Sequence, residues 1–157
     1  MSGPVSSVPF DAGIVIKRLD DLRQADQLGL QQIRGAADYA AITGLRDFRP
    51  PESFVVTLNE AGAKGASASP GRTRQVAVVQ FSVVTAVRNL RYQRGEPALK
   101  DAGPLLGQIR DSLIGWIPPL RGARGCQWER GSLLDYDAGT LLWADIFSTQ
   151  HFIGTQP

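Results

Sequence analysis

The sequence predicts an α+β fold: a mostly antiparallel sheet of about four strands packed against two main helices. Three observations carry this. Two stretches repeat apolar residues at three-to-four spacing, the mark of an amphipathic helix. Between them, the run Arg74 to Val87 is rich in β-branched residues and is the longest strand signal in the chain. After them, Trp128 to Phe147 reads as two strands joined by a tight turn, with a tryptophan on each strand.

From the N-terminus, residues 1–10 are rich in Ser and Pro and read as a loose arm. The single α+β domain then spans 11–153. Asp11 can cap a helix running to Gln24, whose buried stripe is Val15, Leu19 and Leu22, widened by Ile16. Leu28 to Arg34 fits a short strand, and Gly35 to Ile42 fits one or two helical turns ended by Gly44. Arg49-Pro50-Pro51 imposes an extended backbone. Ser53 to Leu58 is then a strand expected to be buried on both faces.

Residues 59–73 include Gly62, Gly65, Pro70 and Gly71 and offer little to bury, so they read as a long flexible loop. In the long strand, Ala77, Val79, Phe81, Val83, Thr85 and Val87 share one face, which suits a core. The opposite face, Val76 to Ala86, is mixed, as expected where solvent or a second subunit covers it. Pro97 can open the second helix, with Leu99, Ala102, Leu106, Ile109, Leu113 and Trp116 on its stripe. Gly103-Pro104 predicts a kink or a fresh start there. A basic glycine-rich loop, Arg121 to Gly125, leads into the closing hairpin.

At 157 residues, with hydrophobic residues at 43% and charged residues at 20%, the chain is a globular domain able to bury its own core. The first residues lack a signal-peptide pattern and no window is apolar enough to span a membrane, which predicts assembly in the cytoplasm. Its one cysteine, Cys126, fits a reducing compartment and reads as a small residue near a strand start. The net charge of +2 is too small for a dedicated nucleic-acid binder. Only Lys17, Lys64 and Lys100 are lysines among 17 basic residues, so planar, bidentate arginine pairing dominates, as at protein interfaces.

Catalytic chemistry finds little support. The only histidine, His151, lies near the chain end and reads as a surface or edge-strand residue. Phosphate loops and zinc spacings do not occur, so no cofactor, metal or catalytic residue is expected. Asp135 and Asp137 share a face about 7 Å apart along a strand and could hold a divalent ion or act as acid and base. The alternative is hairpin-turn chemistry, with Asp at the bend and Gly139 beyond it, and it is the stronger reading. Trp116, Trp128 and Trp143 could stack on bases or sugars, but packing at helix-stripe and cross-strand positions, with Phe147, explains them better.

Taken together, several segments resemble the tail terminator proteins of long-tailed bacteriophages and phage-derived contractile particles. The resemblance rests on Gly35-Ala36-Ala37-Asp38, Phe54 to Leu58, and Val79 to Leu90. It rests equally on Leu113-Ile114-Gly115-Trp116 and on the Gly-x-Leu-Leu-Asp and Leu-Trp-x-Asp-x-Phe hairpin. It implies a non-enzymatic virion protein, assembled as a ring, hexameric in expectation, on the head-proximal end of the tail. Its partners would be the tail tube protein, neck or head-completion proteins and, in contractile tails, the sheath. DNA would be passing cargo only, with no membrane contact. Two expectations follow for this chain. Asn59, Glu60, Lys64 and Arg72 would lie on a loop that contacts tube or neck. Arg72, Arg74, Arg88, Arg91 and Arg94 would meet Asp135, Asp137 and Asp145 across subunits. Another neck component is the alternative, and a small hydrolase or nuclease using Asp135, Asp137 and His151 is a distant one.

Overall fold

A computed structural model describes residues 7–63, 73–88, 96–137 and 139–155, without the side chains of 96–98. Helix α1 is Gly13–Gln24, followed by strand β1 at Gln32–Gly35, the short helix α2 at Ala36–Ala40 and a 3-10 turn at Leu45–Asp47. Then come β2 at Glu52–Gly62, β3 at Arg74–Arg88, α3 at Glu96–Leu113, β4 at Gln127–Tyr136 and β5 at Thr140–Gly154. The predicted α+β class is correct. The sheet has five strands rather than about four, in the order β1-β2-β3-β5-β4. Every pairing is antiparallel except β1 with β2.

The extra detail lies in the first third. Leu28 and Leu30 alternate like strand residues, yet they are buried plugs in a loop ahead of β1. Asp11 works one residue outside the position expected of a cap. Its Oδ1 accepts from Gly13 N at 2.8 Å, while Ala12 occupies the cap itself.

Period two on β3 sorts the two faces as predicted. Val79, Phe81 and Val83 join Val15 and Leu19 of α1, Ile109 and Leu113 of α3, Val55 and Phe147 in the main core. Phe81 stacks on Phe147 with ring centroids 5.6 Å apart. The opposite face is not left wholly to solvent or a partner. Phe54, Val84, Ala86, Leu142 and Ala144 are covered by Phe48, with Tyr39, Ile42 and Leu45 packed around them. Residues 39–48 are therefore a small lid on half of the second sheet face.

Three further expectations change. Strand β2 is buried on both faces only over Glu52–Val55; Leu58 is exposed. Asn59 to Gly62 belong to β2, paired with Gln80 to Ala77 beyond an irregularity after Thr57, so the backbone ladder extends into what composition marks as loop. And of the two outcomes expected at Gly103-Pro104, a fresh start does not occur: α3 runs through Pro104 as one helix. An interior proline costs about 3 kcal/mol. Burying Ala102, Leu106, Ile109 and Leu113 outweighs that, since each large apolar side chain contributes about 1.5–3 kcal/mol.

Candidate functional site

The polar side chains singled out by sequence fall at three places. The most elaborate is centred on Asp145, on the helix-facing side of β5 and 1% exposed. Arg110 of α3 meets it in fork fashion, Nη2 to Oδ1 at 2.9 Å and Nε to Oδ2 at 3.2 Å. Both hairpin tryptophans donate to the same carboxylate: Trp128 Nε1 at 3.0 Å and Trp143 Nε1 at 2.9 Å, each to Oδ1. The Arg110 guanidinium also lies over the Trp128 ring, 4.7 Å from its centroid. Asp145, expected to meet a neighbour's arginine, is thus saturated within its own chain. The tryptophans pack as hydrogen-bonding walls of this cluster rather than as a facing pair, since their register partners are Phe147 and Leu133. Trp116 lies past the end of α3, packs against the main core and carries Arg18 over its ring at 5.8 Å.

The second place is the β4–β5 turn. Asp137 Oδ1 accepts from Gly139 N at 2.7 Å and Thr140 N at 2.9 Å, an Asx turn that closes the hairpin. These bonds, that from Gly139 first, hold its carboxyl below the ordinary value. Asp135 is exposed, and its Oδ1 accepts only from the adjacent Tyr136 N at 2.9 Å among its bonds to described residues. On the same rim Arg88 Nε donates to Pro50 O at 3.1 Å. Lys64, Arg72, Arg91 and Arg94 lie outside the described residues.

The third place is the opposite end of the sheet. His151 is not a surface or edge residue: β5 is an interior strand and His151 is 3% exposed. Its Nε2 faces Glu60 Oε1 at 3.7 Å, and that oxygen accepts from Phe10 N at 2.8 Å. Glu60, expected on a loop, is therefore a strand residue holding the N-terminal segment against the sheet. Arg74 lies over the Phe152 ring at 4.5 Å.

One functional-looking carboxylate escapes sequence reading. Glu52 is fully buried and accepts from Gln32 Nε2 at 2.8 Å, Arg34 Nη2 at 3.0 Å and Arg49 N at 2.6 Å. Its only sequence signal is a Glu wedged between a double proline and an apolar run. Cys126 is buried just ahead of β4, and burial pushes its thiol up to about 11. Among the described residues, no group of three or more His, Cys, Asp or Glu could hold a metal ion, and no helix is long and apolar enough to cross a membrane.

Buried charge here fixes the sheet, its lid and its hairpin, which defines an α+β scaffold protein. A model of the family described as phage tail terminator protein matches residues 5–157, nearly the whole chain. The chain belongs to that family, and with it to the structural proteins of phage tails. No curated protein matches it.

Proposed function

We propose that this protein caps the head-proximal end of the tail tube as a ring, hexameric in the simplest form. The cap stops tube polymerisation and presents a docking surface for the neck. The observation that carries this is the family match across residues 5–157. A sheet pinned by buried ion pairs supports it physically, because a cap must hold one shape against a growing polymer. Identical subunits joined by heterologous contacts close into a ring when the rotation per contact allows it. The link between β2 and β3, residues 64–72, contacts tube or neck in this reading, and contractile tails would add sheath contacts.

Electron microscopy of particles made without the protein tests the proposal. Overlong or polydisperse tails are expected. Free tails of correct length beside filled heads would instead make it a joining protein of the neck and overturn the capping role. Deleting residues 64–70 should leave a folded protein that no longer caps; infectious tails of normal length from that deletion would remove the link from the contact surface.

A further inference from the structure

Two half-buried arginines in this chain meet buried carboxylates, and the more deeply buried Arg121 does not. Arg34 meets the buried Glu52, and Arg110 meets the buried Asp145. Arg121, which opens the basic glycine-rich loop, is only 9% exposed. Its Nε, Nη1 and Nη2 are all buried and have no hydrogen-bond partner among the described residues. The guanidinium lies 5.6 Å from the centroid of the Phe152 ring, the same ring that carries Arg74. The loop is fixed there, since Phe152 N donates to Arg121 O at 2.9 Å. Guanidinium cannot shed its proton, so its burial without a counter-ion among the described residues is strongly unfavourable. The planar fork fits a carboxylate.

We propose that Arg121 and Arg74 form a carboxylate-receiving site filled by Asp135 of a second copy of this chain. The inference rests on the self-assembling ring proposed above and gives that ring a contact. Opposite charge at the two ends of the sheet points to a hairpin acid as the occupant. Of the hairpin acids, Asp145 is saturated by Arg110 and the tryptophans, and Asp137 is committed to its turn. Asp135 is exposed and has no ion-pair partner among the described residues. It pairs with Leu142 in the ladder, and from Leu142 to Phe152 along β5 is about 33 Å. One subunit therefore cannot satisfy Arg121 with its own Asp135. A copy placed head to tail can, and such a contact is heterologous, as a ring requires. Docking shifts the Arg121 side chain outward, which its long stem allows.

Two measurements on the full chain test this. The first is thermal melting of dilute protein. Arg121→Met removes a charge that lacks a hydrogen-bonding or ionic partner among the described residues, so the melting temperature should hold or rise; a fall of several degrees would show the charge is paired internally and overturn the proposal. The second is self-association by sedimentation velocity over a concentration series. Arg121→Met and Asp135→Asn should each weaken it at least about tenfold, and the double variant no further than either single one. Wild-type association in Asp135→Asn, or a parent chain that never self-associates, would refute Asp135 as the occupant. Neither result touches the capping role, which the tail-length experiment decides separately. DNA binding that falls steeply with salt and is lost in Arg121→Met would reassign the site to phosphate and overturn it as well.

Discussion

Asp145→Asn is the sharpest probe of what holds this fold. The substitution keeps shape and one acceptor oxygen but removes the charge and puts an amide among donors. In the native cluster the carboxylate takes Arg110 Nη2 at 2.9 Å, Arg110 Nε at 3.2 Å, and two indole N–H groups at 3.0 and 2.9 Å. Breaking a buried pair by neutralising one partner costs about 3–5 kcal/mol. The lower end applies, because the Arg110 side chain is 33% exposed and can recover some water, whereas that of Asp145 is buried. A loss of about 3 kcal/mol corresponds to roughly 6–12 °C in a domain of this size. Urea unfolding followed by tryptophan fluorescence, with calorimetry beside it, measures both. Trp128 and Trp143 donate to the mutated group, so the native emission should change too. A loss below about 1 kcal/mol would equate the pair with an exposed salt bridge and refute the reasoning.

The same cluster makes Gly131→Ala costly. A Cβ there would lie 2.5 Å from Asp145 Oδ1, 2.7 Å from the Trp143 ring and 2.8 Å from Arg110 Nη2, so a drop of several degrees in melting temperature is expected, and none would mean the hairpin shifts freely. Glu52→Gln should cost about 2–4 kcal/mol in urea unfolding, because Arg34 and the Arg49 N–H lose a fully buried anion. Asp137 has a folded pKa below its ordinary 3.8, so it stabilises the hairpin above that value and loses its effect as pH falls through the lowered one. The stability gap between wild type and Asp137→Ala should therefore be present at pH 7 and shrink below pH 3.8; a gap unchanged at pH 2 would contradict this. With its thiol raised to about 11 by burial, Cys126 should resist thiol reagents at pH 8 until denaturant is added, and rapid labelling of native protein would show the site opens readily.

Legibility in the sequence tracked how local the cause was. The faces of β3, the α3 stripe and the Asp137 turn depend on residues a few positions apart, and all three were readable. Leu28 and Leu30 misled because alternation marks burial on one side, and a loop draped over a core satisfies that as well as a strand does. Asn59 to Gly62 misled in the other direction. With exposed side chains and little to pack, they are strand only because Ala77 to Gln80 supply a ladder, and ladder partners are invisible in one-dimensional composition. The acids show the same limit. Sequence reads Asp145 as a partner for a neighbour's arginine, whereas Arg110, distant in sequence but adjacent across α3 and β5, holds it within the chain.

That pairing also explains the arginine bias in terms of position rather than net charge. At Arg110 a lysine could offer neither two parallel bonds to Asp145 nor a flat face to Trp128. At Arg34 the guanidinium both reaches Glu52 and lies over Phe54 at 5.1 Å. Arg34 and Arg110 are thus structural, and Arg18 and Arg88 are tied to backbone carbonyls. On the proposal above, assembly uses the Arg74–Arg121 end of the sheet and the Asp135 end. A tail cap built from such subunits would place its specificity at those two ends. Substitutions of arginine by lysine should therefore divide cleanly, those at Arg34 and Arg110 lowering the melting temperature and that at Arg74 leaving it unchanged.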